Sequence, residues 1–496
     1  MNGDPFRDLE PAGLWRHFAA LTAIPRRSGR EQAARQYVRA VAVDAGAAFL
    51  SDARGNALVR VPARPSPGER PATVAVQAHL DMVCESAPGV DHDFEGDPIL
   101  VRRDGDVLCA EGTTLGADNG IGVAAALALL TDPPVACGPL ELLFTVEEEI
   151  GLFGAMDFDA SLLDARFLVN LDSEDDQALT SGSAGGTEVI VRLRPLRERP
   201  VGAWGCVQLT VSGLRGGHSG AQIHERRANA IKLLAGVLER LAGAEVDMRI
   251  ASIDGGSAHN AIPRSASARV CMAGEELERG AAIAARVIDE LACEWRADEP
   301  ELSIELHRID GPAPAAADAR SSETILRLLL DLPHGVLAMS PTYAGVVETS
   351  ANLALVRDDR EQIEVSISAR SLSEQALADV VSAVRQLAGR AAASVEVSGG
   401  YPAWQPREHS PLLAAAVRAY ERVHHRKPKI EIVHGGLECG VLVAKKPTLE
   451  AVSLGPLIRE AHTPQEHLYI STVLSTWKVL LALLGELSGS CAEQSS

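Results

Sequence analysis

The chain has 496 residues, of which 46% are hydrophobic and 23% are charged, and this composition is typical of a globular protein with room for two domains. Its formal net charge of −20 disfavours nucleic acid and anionic membranes as partners. The first residues lack the pattern of a signal peptide, and the longest apolar stretches fall short of a membrane span, so we expect a cytoplasmic protein. The eight cysteines have no Cys-x-x-Cys spacing and are expected to be reduced, mostly buried thiols.

The first part of the chain predicts helices and then a hairpin. Residues 11–47 carry apolar residues at helical spacing, with an interruption at 25–29. Residues 48–61 resemble a β-hairpin that turns at 53–56. Strands and helices alternate from there on, including a helix over 121–130, which favours an α/β fold with a mostly parallel central sheet flanked by helices.

Three short apolar runs each end at a histidine or a carboxylate. They are residues 74–78 before His79 and Asp81, residues 140–146 before Glu147, Glu148 and Glu149, and residues 167–171 before Asp172. Short, branched, apolar runs are typical of buried parallel strands. Functional groups in open α/β sheets collect beyond the carboxyl ends of such strands, so these side chains are predicted to meet at one edge.

The spacing around the first run favours metal chemistry. His79 and Asp81 lie two residues apart on an extended chain, so their side chains share one side, and a carboxylate is a usual partner of a metal-bound imidazole. Asp118 lies in the glycine-rich segment 112–122 and suits a carboxylate that bridges two cations, the alternative being a helix N-cap. The segment has no Gly-Lys-Ser/Thr sequence, which disfavours a phosphate-binding loop.

The glutamates Glu147, Glu148 and Glu149 give the sharpest local signal. Three adjacent carboxylates after a buried strand repel one another unless a cation neutralises them, although a solvated acidic turn is the alternative. Neighbouring side chains point in different directions, so one glutamate can bind a metal while the next transfers a proton.

The middle of the chain has a different pattern. After the glycine-rich residues 181–186, strands that alternate polar and apolar positions are interspersed with helices, until a second glycine-rich joint at 398–402. We therefore predict an α/β catalytic domain made of residues 1–186 and 401–496, interrupted by an inserted α+β domain of residues 187–400.

The inserted region contains a weak internal similarity. Residues 258–262 resemble residues 350–354, and each segment precedes a predicted strand. Similar loops recur by chance in α+β domains, so the sequence leaves open whether the region is duplicated.

The last hundred residues supply a second imidazole. After a helix predicted at 412–424 and a strand at 449–454, a loop carries His462, with His467 as a weaker alternative because it lies nearer the next helix. A set of two histidines and three carboxylates without thiolate disfavours a structural zinc site. It favours a catalytic pair of divalent ions, two Zn²⁺ per chain, with Mn²⁺ or Co²⁺ as substitutes.

Seven motifs, in order along nearly the whole chain, resemble those of the M20 metallopeptidases and, among them, the aminoacyl-histidine dipeptidases. They are residues 24–29 (IPRRSG), 112–119, 147–151, 170–173, 216–220 (GGHSG), 434–440 (HGGLECG) and the loop of His462.

The resemblance implies a centre of two zinc ions. The implied ligands are His79 and Asp172 for one ion, Glu149 and His462 for the other, and Asp118 as the bridge. Asp81 would orient His79, and Glu148 would act as the general base and later as the acid.

The resemblance also implies that the inserted domain is a lid that carries substrate-binding residues. His218 would hydrogen-bond the substrate carbonyl oxygen and stabilise its developing charge. Asn260 and Arg370 would bind the free carboxylate of the substrate. Gly435 and Gly436 would let the backbone approach the substrate closely.

The implied activity is hydrolysis of the amide bond of a dipeptide, with Xaa-His dipeptides such as β-Ala-His (carnosine) as the expected substrates. Tripeptidase, carboxypeptidase and N-acyl amino-acid deacylase activities share the metal site and stay open as alternatives, as does a non-catalytic zinc-binding protein of the same fold. The chain is expected to be a monomer or a homodimer, since a duplicated lid would mimic a dimer within one chain.

Overall fold

The computed structural model describes residues 4–64, 71–132 and 137–489. These residues form two compact units. The first unit comprises the described residues up to Ser183, Trp404–Val433 and those from Leu437 onward, and the second comprises Ala184–Ala403 and His434–Gly436. The predicted boundaries at 186 and 400 differ from these by three residues each, and the predicted division did not place residues 434–436 with the inserted region.

The described residues contain the helices predicted over 11–47, 121–130 and 412–424, as well as helices whose bounds were not predicted. They are α1 (Ala12–Thr22), α2 (Gln32–Asp44), α3 (Ala117–Thr131), α4 (Phe153–Asp157), α5 (Ala230–Gly243), α6 (Leu277–Trp295), α7 (Ala319–Asp331), α8 (Glu374–Arg390), α9 (Pro411–His424), α10 (Glu438–Lys445) and α11 (Ile470–Gly489). The side chains of Asn229, Ser373 and Ser410 accept hydrogen bonds from the first turns of α5, α8 and α9, which fixes where these helices start.

The strands include several that the sequence did not predict. They are β1 (Ala48–Ser51), β2 (Ala57–Val61), β3 (Val74–His79), β4 (Val101–Asp104), β5 (Val107–Ala110), β6 (Leu140–Thr145), β7 (Phe167–Asn170), β8 (Ala178–Ser183), β9 (Gly185–Leu193), β10 (Arg197–Glu198), β11 (Trp204–Ser212), β12 (Gly217–His218), β13 (Met248–Gly255), β14 (Ala261–Ile262), β15 (Ala266–Ala273), β16 (Ser303–Ile309), β17 (Ala316–Ala317), β18 (Gly335–Met339), β19 (Val347–Asp358), β20 (Ile363–Ser371), β21 (Ser394–Tyr401), β22 (Lys429–Val433), β23 (Glu450–Ser453), β24 (Ile458–Arg459) and β25 (His467–Tyr469).

The first unit is built on an eight-stranded sheet with the order β1-β2-β6-β3-β7-β23-β8-β22. The central pairs β6-β3, β3-β7 and β7-β23 are parallel, whereas the hairpin β1-β2 and the pair β2-β6 are antiparallel. Every residue of β3, β6 and β7 is buried. The three apolar runs are therefore adjacent parallel strands, and their carboxyl ends lie at one edge of the sheet.

A small second sheet in the first unit has the order β24-β25-β5-β4. The sequence did not predict the hairpin of β4 and β5, because β4 is largely exposed and lacks a regular apolar pattern. Antiparallel pairing of β24 with β25 closes the connection 460–466 into a hairpin loop. This sheet therefore sets the position of the loop that carries His462.

Helix α11 is longer and more apolar than the sequence predicts. Over Ile470–Ser488 its length and composition would suffice to cross a membrane. Core helices of globular proteins have the same properties, and Leu480, Leu483 and Leu484 of α11 are fully buried in the core of the first unit.

The second unit is built on a larger sheet in which two sets of elements repeat. The sets β11-α5-β13-β15-α6-β16 and β9-α7-β19-β20-α8-β21 both have the order βαββαβ, and the first is inserted between β9 and α7 of the second. In the sheet they run β16-β11-β15-β13 and β19-β20-β9-β21, so their second strands meet at the centre. This mirrored order supports a duplication, but residues 258–262 follow β13 whereas 350–354 lie within β19, so the similar segments are not equivalent.

One pair of cysteines is not reduced, which corrects the prediction. Cys206 on β11 and Cys271 on β15 lie directly opposite each other and form a disulfide. Among the other cysteines that the structure describes, Cys137 and Cys439 are buried, and the rest are at least partly accessible. The pairing depends on the register of two strands, which residue spacing alone does not reveal.

Candidate metal centre

Two imidazoles meet one carboxylate at the edge of the first unit's sheet. Nε2 of His79, at the end of β3, lies 3.1 Å from Oδ1 of Asp118 at the start of α3. Nε2 of His462 lies 3.0 Å from Oδ2 of the same carboxylate. Oδ1 of Asp172 is 3.2 Å from Nε2 of His79, and Oε2 of Glu149 is 3.1 Å from Nε2 of His462. Five residues far apart in sequence thus converge.

The geometry of these residues fits two divalent cations. The potential ligand atoms form one group from His79, Asp118 and Asp172 and another from Asp118, Glu149 and His462, each within 4.8 Å, so the two groups share Asp118. Imidazole nitrogens and carboxylate oxygens are suitable ligands for such ions. Oε1 of Glu149 is buried and has no hydrogen-bond partner among the described residues, as expected of an oxygen that a cation would satisfy.

Asp81 lies behind the first histidine and is fully buried. Its Oδ1 is 3.4 Å from Nδ1 of His79, and its two oxygens accept the backbone N–H groups of Glu148 and Glu149, each at 3.1 Å. Burial alone would raise the pKa of Asp81, but the hydrogen bonds from His79, Ser28 and the Glu148 backbone lower it. One carboxylate therefore orients both the histidine and the segment that carries the glutamates.

The three consecutive glutamates have three different environments. Glu147 forms an ion pair with Arg54, and Glu149 faces His462. Glu148 lies within reach of His79 and Glu149 in a third group of potential ligand atoms. Burial raises the pKa of Glu148 well above its usual range; His79 opposes this shift, and Glu149 adds to it. A carboxyl group with a raised pKa is suited to accepting a proton and then returning it.

Several residues behind the ligands were not assigned a role from the sequence. Ser28 donates to Asp81 at 2.8 Å, and Thr145 donates to the fully buried Glu438 at 2.6 Å. Arg26 and Glu466 contact the backbone around Asp118. Four of these residues lie in motifs that carried the resemblance (Arg26, Ser28, Glu438 and Glu466), but no sequence signal indicates their partners. His467, the weaker alternative to His462, pairs with the carbonyl of Gln465 at 2.8 Å and lies outside the described groups.

The predicted substrate-binding residues lie in the second unit. His218 is exposed, and its Nδ1 accepts backbone N–H groups from Gly220 at 3.3 Å and Ala221 at 3.1 Å, which places the ring proton on Nε2. Asn260 is exposed too, and its backbone carbonyl accepts the N–H of Ser219 at 2.8 Å.

Arg370 is 8% exposed and donates to the hydroxyl of Tyr401 at 2.7 Å, while its Nε has no partner among the described residues. A Cβ on Gly436 would lie 2.6 Å from the ring of Tyr401, whereas one on Gly435 would meet no atom within 4 Å. A Cβ on Gly220 would lie 3.1 Å from the ring of His218 and 3.3 Å from the guanidinium carbon of Arg370. The second unit thus brings His218, Arg370 and Gly436 together.

Comparison with known proteins gives consistent results. The family model described as peptidase family M20/M25/M40 matches residues 75–486. The chain is 38% identical over 479 residues to the cytosol non-specific dipeptidase of Escherichia coli (strain K12), covering 97% of this chain and 98% of that protein.

Solved structures agree with the predicted α/β fold class. The structure of aminoacylhistidine dipeptidase from Vibrio alginolyticus has a TM-score of 0.83 and 35% identity, covering 97% of this chain and 98% of that one. Human carnosine dipeptidase 1, with a TM-score of 0.52, 14% identity and 96% of both chains covered, is similar in fold alone. The predicted fold class is confirmed.

Proposed function

Because the chain belongs to peptidase family M20/M25/M40, we propose that this metallopeptidase hydrolyses dipeptides with two divalent ions bound at the candidate metal centre. The observation that carries the proposal is that two groups of ligand atoms share Asp118 beside the additional carboxylate of Glu148. The names of the relatives from E. coli and V. alginolyticus, both similar over nearly the whole chain, support dipeptides as the substrate class.

We assign the ligands as follows: His79 and Asp172 to one ion, Glu149 and His462 to the other, and Asp118 to both. When bound, such ions lower the pKa of a water molecule and polarise a carbonyl group. The ligand set without thiolate favours Zn²⁺, with Mn²⁺ or Co²⁺ as substitutes.

Glu148 is proposed to handle the proton. Its carboxylate would accept a proton from the attacking water and return it to the nitrogen of the departing amine. For both transfers, Glu148 needs a pKa nearer neutrality than that of a free glutamate, and burial raises its pKa in that direction. Asp81 would keep His79 and the backbone of Glu148 and Glu149 in place during this transfer.

The second unit is proposed to act as the lid that recognises the substrate. With its proton on Nε2, His218 would donate to the carbonyl oxygen of the scissile bond. Arg370, whose Nε lacks a partner among the described residues, would bind the free carboxylate together with Asn260. Gly435 faces open space and, with Gly436, would leave room for the substrate backbone.

Two substrate ranges have support. The V. alginolyticus structure, an aminoacylhistidine dipeptidase, favours Xaa-His dipeptides, including β-Ala-His. The E. coli relative is called non-specific, which favours a broader range of dipeptides. The cytosolic name of that relative and the net charge of −20 support a cytoplasmic location, and both a monomer and a homodimer stay open.

A substrate panel on the metal-loaded protein tests the proposal. We expect hydrolysis of β-Ala-His, Gly-His and Gly-Leu, with little turnover of Gly-Gly-Gly or N-acetylated amino acids, and two bound ions per chain. A larger kcat/KM for both histidine-containing dipeptides than for Gly-Leu would indicate Xaa-His preference. Preferred cleavage of the tripeptide or of the acylated amino acids would instead assign another activity of the family.

A further inference from the structure

The segment that carries Asp118 is held by a side chain from a distant part of the sequence. Oε2 of Glu466 accepts the N–H groups of Leu115 at 2.8 Å and Gly116 at 2.9 Å. Oε1 accepts those of Ala117 at 2.8 Å and Asp118 at 3.3 Å. Glu466 is 2% exposed, so these four hydrogen bonds are shielded from water. One buried carboxylate thus engages four consecutive backbone donors.

The helix that follows cannot itself fix this segment. Asp118 has φ −78° and ψ 112°, and Asn119 is also non-helical, so regular α3 geometry begins only after the bridging residue. Gly116 at the N-cap has no side chain to accept the free N–H groups of the first turn. Glu466 supplies the missing acceptor and places a negative charge at the positive end of the helix.

A buried cation holds the same segment through its carbonyl group. Nη2 of Arg26 donates to the carbonyl of Gly116, and Nη1 donates to the carbonyls of Leu80 at 3.1 Å and Asp81 at 3.0 Å. Arg26 is 2% exposed and opposite in charge to Glu466. It therefore links the turn after His79 to the segment before Asp118.

Glu466 also shares its loop with a proposed metal ligand. The connection 460–466 between β24 and β25 contains both His462 and Glu466. His462 faces one oxygen of Asp118, while Glu466 holds the backbone of the same residue. A displacement of this loop would change both contacts together.

We infer that Glu466, with Arg26 as its counter-charge, is a positioning residue that sets the affinity of the centre for its two ions by holding Asp118 against both histidines. The inference rests on the proposed metal centre. A bridging carboxylate must present its two oxygens to two sites at once, so a small shift of its backbone weakens both.

The substitution Glu466→Gln tests this inference. Glutamine keeps the size of the side chain but has one oxygen, and its amide group would face N–H donors. We expect a loss of about 10- to 100-fold in Zn²⁺ affinity, as for other residues that orient metal ligands. The measurement is competition with a chromophoric chelator on the apo protein. A fall in kcat with KM nearly unchanged should accompany it.

Glu141→Gln is the matched control. Glu141 is also 2% exposed and accepts backbone hydrogen bonds, from Asp164 at 3.1 and 2.9 Å and from Ala165 at 2.9 Å. It lies near the start of β6, at the end of the strand opposite Glu148. Both variants should lower the melting temperature, but only Glu466→Gln should weaken metal binding. Wild-type Zn²⁺ affinity in Glu466→Gln would overturn the inference.

Glu466→Asp covers the case in which the glutamine variant does not fold. Aspartate keeps the charge, but its carboxylate is about 1.5 Å shorter in reach, so the segment must shift to keep its hydrogen bonds. We expect a folded protein with weakened metal binding, and unchanged affinity would again overturn the inference.

Metal affinity is measured without substrate, so the two proposals can fail separately. If the wild-type chain binds two ions and cleaves no dipeptide while Glu466→Gln binds them weakly, the proposed activity fails and this inference stands. If the wild-type chain binds no divalent ion, both fail.

Discussion

The proposed metal ligands and the proposed anion-binding residue leave different kinds of polar atom unpaired. At the metal centre, the buried atoms without a partner among the described residues include Oε1 of the proposed ligand Glu149 and Oε1 of Glu438, together with Nε of Arg26, whose guanidinium group holds the backbone before the bridging carboxylate. In the second unit they include Nε of Arg370, close to His434, whose pKa is lowered to about 4 by burial and by Arg370. Unpaired acceptors favour a cation, and unpaired donors favour an anion. The comparison supports the proposals that the first unit binds metal ions and that the second binds a carboxylate.

The strongest test of this assignment removes the shared ligand. Asp118→Ala takes one ligand from each group and should reduce bound metal to near zero and abolish hydrolysis. Metal content by mass spectrometry and turnover of β-Ala-His give the readouts. Arg370→Ala, in the second unit, should retain two ions per chain. If Asp118→Ala kept both ions, the first unit would not contain the proposed centre.

Substitution of the proposed base separates chemistry from metal binding. Glu148→Ala should lower kcat by about 10²- to 10⁴-fold while both ions stay bound, because Glu148 transfers a proton in the proposed reaction. Glu147→Gln is the matched control, since the adjacent carboxylate pairs with Arg54 instead. Full activity in Glu148→Ala would remove it from the mechanism.

His218, the proposed hydrogen-bond donor to the substrate carbonyl oxygen, lies in the second unit and should affect turnover. His218→Ala should lower kcat by about 10²- to 10³-fold, because the donor is needed most as charge develops on the carbonyl oxygen. Metal content should not change. A rise in KM alone, with kcat retained, would show that His218 only helps to bind the substrate.

The proposed anion site should affect substrate binding more than turnover. Arg370→Ala should raise KM by about 10- to 100-fold, the effect of losing a hydrogen bond to a charged group. An amidated dipeptide, which lacks the free carboxylate, supplies the control. The wild-type protein should discriminate against the amide, and Arg370→Ala should not. Equal discrimination by both proteins would place the carboxylate elsewhere.

The smallest expected effect comes from two adjacent glycines. Gly436→Ala would push against the ring of Tyr401 and should lower the free energy of unfolding by about 1–3 kcal/mol. Gly435→Ala faces open space and should change stability by less than about 0.5 kcal/mol. Thermal unfolding of the two variants measures this difference. A change in KM confined to Gly435→Ala would indicate that the substrate passes close to this residue.

The sequence predicted the first unit's framework because its signals are local. The runs before His79, Glu147 and Asp172 are apolar and short, and the structure has them as adjacent parallel strands. The family, identified from seven motifs, is confirmed by the match over residues 75–486. The assignment of the five proposed ligands to two ions required the resemblance, because no local pattern brings His462 next to Asp118.

What the sequence could not show depends on contacts between distant residues. Glu466 accepts hydrogen bonds from backbone N–H groups that lie 348 to 351 residues earlier in the chain. Because every residue type except proline has such a group, the sequence does not show which of them Glu466 contacts. The disulfide of Cys206 with Cys271 follows from the register of β11 and β15. The repeated βαββαβ order in the second unit is visible in the sheet but not in the sequence, because one set of elements interrupts the other in the chain.

The hairpin loop 460–466 has a consequence for how the protein matures during synthesis. The other four proposed ligands lie between His79 and Asp172, so they leave the ribosome long before His462 and Glu466. Until that loop pairs β24 with β25, a nascent chain has neither the second histidine nor the anchor of the bridging carboxylate. The polypeptide would therefore acquire its full metal complement only after residues 460–466 have been translated.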